Sequence, residues 1–198
     1  GKTTTMKMIV GITTPSAGNI EIDGTSSAEV SVHEKLGYMP EAPYFYDRLT
    51  GLEFLRFSGE LFRDGRKPDA EYGALLKKVG IYAARNKAIQ MYSKGMKQRL
   101  GFAQALVNDP QYVFLDEPLD GLDPIGRREI KEIIKALKAE GKTVFFNSHI
   151  LYDTEELCDE IGIIDKGNLL YQGPVKEFSR GRPLEKKFIS IVENHSRI

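Results

Sequence analysis

The stretch YVFLDEPLDGLDP, residues 112–124, puts four carboxylates (Asp116, Glu117, Asp120 and Asp123) within eight residues, straight after an apolar run and broken by two prolines and a glycine. Apolar residues ending at an acid fit a strand whose carboxyl end points Asp116 at a magnesium-bound phosphate. Open α/β sheets bind ligands at that end of their strands. Glu117 follows at once and, on an extended chain, faces the other way. Beside a metal-bound phosphate it can orient or activate an attacking water. A solvated strand end has the same composition, so these acids alone leave both readings open.

Three other places carry related chemistry. GKTT, at Gly1, Lys2, Thr3 and Thr4, matches the closing part of a phosphate-binding loop, in which backbone amides and a lysine hold phosphates and a hydroxyl holds magnesium. On its own the match carries almost nothing. His149 follows the apolar run TVFFN. If neighbouring strands are parallel, Asp116, Glu117 and His149 share one rim, where a histidine can bond a terminal phosphate; a structural histidine at a strand end is the commoner case. In YSKGMKQRL, Ser93 and Gly95 stand just before a helix. Ser93 reads locally as an N-cap, and a helix start with a hydroxyl and a bare amide is also a phosphate-binding element.

The elements that must position these residues follow from periodicity. A short helix fits residues 3–10, a strand NIEIDG, and a capped helix TGLEFLRFSGELF, with Thr50 and Glu53 at capping-box spacing. Further helices are predicted over 72–87 and 97–109, the latter with Leu100, Ala103, Leu106 and Val107 on one face. YVFL and TVFFNS read as buried strands flanking a helix with Ile130, Ile133, Ile134 and Leu137 on its buried stripe, stopped by Gly141. A short helix at 151–159, a strand at 160–165, a hairpin-like continuation and a helical tail over 176–198 complete the chain. Strands alternating with helices of this length predict an α/β fold with a parallel sheet.

Composition bounds the function. The 198 residues suit one good-sized domain, and 28 basic against 28 acidic residues give no net charge, which argues against a dedicated nucleic-acid binder. Cys158 is the single cysteine, so no internal disulfide can form and a reducing compartment fits. No signal peptide is recognisable, and no apolar run reaches the roughly 18–20 residues that span a bilayer. The chain opens inside a motif and without an initiator Met, which points to a sequence that begins part-way through that motif.

Taken in order, GKTT, GYMPE, YSKGMKQRL, YVFLDEP, LDGLDP and NSHIL resemble the ATP-binding subunit of an ATP-binding cassette (ABC) transporter, over residues 1 to about 175. Six pieces in the family's order and approximate spacing are far more specific than any one. The resemblance implies a P-loop NTPase fold with a nucleotide-binding core at 1–46 and 109–175, a helical subdomain at 47–108, part of a small antiparallel β subdomain, and a tail at 176–198. It implies ATP and Mg2+. Gly1 would be part of the nucleotide-binding loop, Lys2 would hold the β and γ phosphates, Thr3 would ligate magnesium and Thr4 would contact the α phosphate. Asp116 would support magnesium, Glu117 would be the catalytic base and His149 the switch on the γ phosphate. Two ATPs are sandwiched between two subunits in this family, so Ser93 and Gly95 would serve the partner's nucleotide. Asp123, with Leu122, would lie in the loop that communicates across that interface, and Glu41 in the hinge. The implied partners are a membrane permease and a second ATP-binding subunit, at the cytoplasmic face of the cell membrane, and no nucleic acid.

Three departures stand out. The signature segment, usually LSGGQ, is Tyr92-Ser93-Lys94-Gly95-Met96, and the hinge glutamine is Glu41. A carboxylate can approach magnesium but donates no hydrogen bond unless protonated. Both changes resemble subunits paired with separately encoded, often exporting, permeases of the ABC-2 type. The family's first strands, its adenine-stacking aromatic residue and most of the phosphate loop are not in this sequence, so the chain as given is expected to bind ATP weakly and not to hydrolyse it. A soluble non-transport ABC ATPase and a degenerate regulatory cassette are the rival readings. After the hinge, APYFYDRL is expected to expose Pro43, Tyr44, Phe45 and Tyr46, either as a cap on the core or as a groove for a permease helix.

Overall fold

A helix, α1 (Lys2–Ile9), opens the chain, and Gly11 follows it at φ +76°, a backbone conformation that costs glycine nothing. Asp23 and Gly24, both at positive φ, then turn a two-residue hairpin between β1 (Glu21–Ile22) and β2 (Thr25–Ser26), which pair antiparallel. The strand expected over NIEIDG therefore shrinks to two residues. The computed structural model describes residues 1–62, 67–181 and 183–196. It divides into two units, Met6–Asn147 and Gly1–Thr5 with the chain from Ser148 onward, and each is described by itself.

In the first unit α2 (Val30–His33) leads into β3 (Leu36–Met39). Next, α3 (Gly51–Glu60) starts with both bonds of the capping box, Glu53 N to Thr50 Oγ1 at 3.2 Å and Thr50 N to Glu53 Oε2 at 2.8 Å. Its Phe54 and Leu55 are buried, and Phe45 packs edge-to-face on Phe54 with ring centroids 5.1 Å apart. This corrects the expectation that Phe45 is exposed: only Tyr44 and Tyr46 of that run lie open, because α3 supplies a ring for Phe45 to bury against.

The helix expected over 72–87 is instead α4 (Asp69–Lys78) followed by a single 3-10 turn, Tyr82–Ala84. Gly80 sits at φ +75°, with Gly80 N bonded to Lys77 O and Ile81 N to Leu76 O, a glycine-terminated stop that the apolar spacing beyond it disguised. A second 3-10 turn, Ile89–Met91, precedes α5 (Lys94–Ala105), whose Leu100, Phe102 and Ala103 are fully buried.

β4 (Tyr112–Asp116), α6 (Pro124–Ala139) and β5 (Thr143–Asn147) finish the unit. Asp123 caps α6 from the N-cap position with Pro124 at its start, Ile130, Ile133, Ile134 and Leu137 form the buried stripe, and Gly141 at φ +84° ends it. The three strands pair in parallel in the order β3-β4-β5, with Leu36 opposite Tyr112 and Tyr112 opposite Thr143. Parallel neighbours need long crossovers, and α3, α4 and α5 on one connection and α6 on the next lie in them. Gly37 lets β3 pass beneath the end of α5, since a Cβ there would stand 1.9 Å from the Ala105 carbonyl oxygen. β5 is less buried than its sequence predicts: Phe145 is 46% exposed, while Val113 and Leu115 of β4 are at 0%.

The second unit holds α7 (Leu151–Leu157), β6 (Glu160–Asp165), β7 (Asn168–Pro174), α8 (Val175–Ser179) and α9 (Leu184–Ser196). β6 and β7 pair antiparallel across a Lys166–Gly167 turn, and Ile163, Val175, Phe178 and Leu184 form the core under them. Among the described residues no helix is long and apolar enough to cross a membrane.

Candidate functional site

In the first unit the carboxyl rim of the parallel sheet gathers polar groups on an apolar platform. Asp116, the last residue of β4, is opposite Asn147, the last of β5, and both side chains are buried. Asn147 Nδ2 donates to Asp116 Oδ1 at 3.0 Å. A carboxylate that is 1% exposed needs such donors, because leaving water without them costs several kcal/mol, on the order of the burial penalty of an ion. On the β3 side the buried Tyr38 hydroxyl has no hydrogen-bond partner among the described residues. Burial first, and the charge of Asp116 second, push the Tyr38 phenol above the ordinary tyrosine range, so it stays a neutral O–H beside the acid.

Glu117 does not continue the strand. Its φ is +51°, so it leaves β4 through a left-handed turn rather than facing away on an extended chain, as its sequence position predicts. A non-glycine residue holds that conformation only when its surroundings fix it. Here Glu117 N donates to Asn147 O at 3.3 Å, and Glu117 O accepts from Asp120 N at 3.1 Å and from Gln98 Nε2 at 3.2 Å. Both backbone groups of Glu117 are therefore pinned by the structure around it.

The other expected site residues of this unit fall at element starts. Ser93 caps α5, its Oγ accepting from Met96 N at 3.2 Å. Gly95 is the second residue of α5, with Leu122 beside it: a Cβ on Gly95 would be 3.6 Å from Leu122 Cδ2. Asp123 Oδ1 accepts from Gly126 N at 2.7 Å. Glu41 is exposed just past the end of β3. The structure thus brings Asp116 to Glu117, and Gly95 to the loop that ends at Asp123.

In the second unit Gly1 precedes the first turn of α1, which Lys2, Thr3 and Thr4 form, and the carbonyl of Gly1 accepts from Thr5 N at 2.9 Å and Thr5 Oγ1 at 3.0 Å. Lys2 Nζ donates to the carbonyl of Ser148 at 3.4 Å, which places it on the loop that carries His149. Lys2, Thr4 and His149 are exposed, and Thr3 is half-buried.

Asn147, Gln98 and Tyr38 escaped the sequence reading. Asn147 closes an apolar run, a position that suggests a strand end, but its pairing with Asp116 depends on a register between strands 31 residues apart. Gln98 is 5% exposed, and its burial under the loop that leaves Glu117 likewise depends on a contact between segments 19 residues apart.

The sequence profile of the family described as ABC transporter matches residues 1–120. This chain belongs to the ABC transporter family. An uncharacterized ABC transporter ATP-binding protein of Synechocystis is 47% identical over 180 residues, covering 89% of this chain and 51% of that protein. A fluoroquinolones export ATP-binding protein of Mycobacterium tuberculosis is 38% identical, covering 86% of this chain and 56% of that one. The chain therefore spans about half the length of these ABC transporter relatives. A solved structure, described as the ATP binding subunit of an ABC transporter, superposes with a TM-score of 0.85 at 29% identity, over 96% of this chain and 83% of that one. The fold is the P-loop NTPase fold of the ABC ATPases.

Proposed function

We propose that this chain is the nucleotide-handling part of an ATP-hydrolysing subunit that powers a membrane permease, an exporter of the ABC-2 type. The observation that carries the reading is the end of β4. Asp116 is buried and held by Asn147, and the next residue, Glu117, is turned out of the strand with its backbone groups pinned by three hydrogen bonds, one of them from the Gln98 side chain. A structural strand end needs no buried anion and no left-handed glutamate. A site that fixes one acid near a cation and presents a second to water needs both.

In this reading Gly1, Lys2 and Thr4 bind the phosphates, and His149 bonds the terminal one. Glu117 takes the proton of the attacking water. Ser93 and Gly95 face a nucleotide brought by a second subunit, Asp123 lies in the loop that communicates across that interface, and Glu41 lies in the hinge. Magnesium fits the donors: it takes one or two carboxylates together with hydroxyl and phosphate oxygens, and Asp116 and Thr3 are of that kind, while no cluster of three acidic, histidine or cysteine side chains exists among the described residues. When bound, it would supply charge stabilisation to the phosphates. Residues 47–108 serve as the helical subdomain and 1–46 with 109–175 as the nucleotide core.

The permease meets this chain on an exposed aromatic row. Tyr44 is 84% exposed and stacks edge-on against Tyr46, which stacks against Phe57 at 5.4 Å. Such a patch suits the apolar face of a short helix. The chain then works at the cytoplasmic face of the membrane, held there by the permease. The relative named for fluoroquinolone export supports an exporting direction.

The test uses the natural gene product with Glu117→Gln. With ATP present, this variant is expected to elute as a dimer that the parent forms only transiently. A variant that stays monomeric at saturating ATP would contradict the shared-nucleotide arrangement.

A further inference from the structure

Lys94 stands where the family's usual signature segment has a glycine, and α5 gains nothing from it. A cation in a first turn opposes the positive end of the helix dipole, and no acidic side chain shares that turn. Its ammonium group reaches across to Asp120 Oδ2 at 3.1 Å instead. The lysine stem crosses Gly121, which sits at φ +68° and leaves it room: a Cβ on Gly121 would lie 2.5 Å from Lys94 Cε.

This ion pair is one of four contacts on a single face of α5. Positions 94, 95, 98 and 99 share that face by helical periodicity. Lys94 meets Asp120, Gly95 meets Leu122, Gln98 Nε2 donates to Glu117 O, and Arg99 pairs with Glu129 at 2.6 Å. The loop that leaves Glu117 is thus laid along the start of α5. Asp120 matters most in it, because its own amide closes the turn on Glu117 O at 3.1 Å. Lys94 grips the far end of the turn whose near end is the left-handed Glu117.

We propose that Lys94, acting through Asp120, is a positioning residue for Glu117: the ion pair locks the start of α5 and the Glu117 turn into one piece. The proposal rests on reading Glu117 as the base that handles water. A glycine at 94 makes no such link, so the altered signature segment adds a connection within the subunit. An isolated exposed pair positions little. This one joins a loop and a helix start that other contacts already hold close, so forming it costs little conformational entropy and more of its attraction goes into fixing the turn.

The first test reads amide hydrogen exchange of Asp120 and Glu117 on the 198-residue chain, which needs no nucleotide. Lys94→Met is expected to speed exchange at both by about threefold, the scale of an exposed ion pair, with Gly141 unchanged as reference. Lys94→Arg keeps the parent rates, and the swap Lys94→Asp with Asp120→Lys restores them. Unchanged exchange in Lys94→Met overturns the proposal. So does an equal acceleration along all of α5, which would mean a frayed helix rather than a freed turn. The second test measures ATP hydrolysis by the natural gene product. Lys94→Met lowers kcat at constant KM for ATP, and the charge swap recovers it; a rise in KM alone would overturn the positioning role. If the exchange result holds while the parent itself hydrolyses no ATP, the link stands and the reading of Glu117 as a base fails.

Discussion

Replacing Asn147 by leucine removes a donor to Asp116 while keeping the branching and heavy-atom count of the side chain, so the lost hydrogen bond at the rim is the main change. The bond is 3.0 Å long, and its two side chains are 7% and 1% exposed, so water cannot take the place of the lost amide. Hydrogen bonds to charged groups contribute about 1.5–3 kcal/mol net, and the carboxylate keeps its burial penalty with one donor fewer. The expected loss is therefore about 2 kcal/mol, or about 4–8 °C in Tm for a chain of this size. The chain has no tryptophan, so urea unfolding is best followed by far-ultraviolet circular dichroism, with the midpoint falling and the slope unchanged. Asn147→Asp is the companion variant. It sets a second carboxylate beside Asp116, so it should be less stable than the leucine variant at neutral pH and recover as the buffer is acidified. A leucine variant within about 0.5 kcal/mol of the parent, or an aspartate variant more stable than leucine at neutral pH, would refute the argument that Asp116 is a buried anion held by Asn147.

Three other outcomes follow from the same geometry. Asp109 accepts from Lys142 at 2.6 Å, and that bond holds its carboxyl below the usual aspartate range. A depressed carboxylate stabilises the fold above its unfolded value, near pH 4, and loses that contribution as pH falls. With Asp109 largely exposed, Asp109→Asn should cost about 0.5 kcal/mol at neutral pH and progressively less as pH falls below about 4, since asparagine tolerates its φ of +54°; a difference that ignores pH would contradict this. Gly37→Ala drives a Cβ into the Ala105 carbonyl and Pro110 and should cost about 3 kcal/mol, so a parent-like unfolding midpoint would mean β3 does not pass beneath α5 as described. Tyr44→Glu should abolish co-purification with the permease while leaving the unfolding midpoint in place; undiminished association would remove the aromatic row as the docking surface.

Much of the frame is legible in local sequence because its causes are local. The Thr50–Glu53 box, the Asp123–Pro124 start of α6 and its isoleucine stripe are written within a few residues, and the structure holds each of them. Gly80 was also a local signal, overridden by apolar residues that happened to keep helical spacing beyond it. What sequence periodicity does not carry is contact between distant segments. Glu117 looks extended because Pro118 follows it, and proline disfavours a helical predecessor. Its left-handed turn exists because Gln98 and Asn147, from two other elements, hold its backbone. Phe45 sits between two exposed tyrosines, and only Phe54 decides which ring turns inward. β5 reads as buried because its residues are apolar, yet exposure depends on what lies against it, and Phe145 stays open. The acids at 116 and 117 were visible as a pair; the partners that make the pair into a site were not.

The most direct test of the account is the ATP hydrolysis rate of the natural gene product with its permease, compared between parent, Asp116→Asn and Glu117→Gln. Loss of a general base or of the acid that supports the cation typically costs about 100-fold or more, so both variants should fall to near background while still binding nucleotide. Parent-like turnover in Glu117→Gln would contradict the assignment of the residue after β4 as the group that activates water.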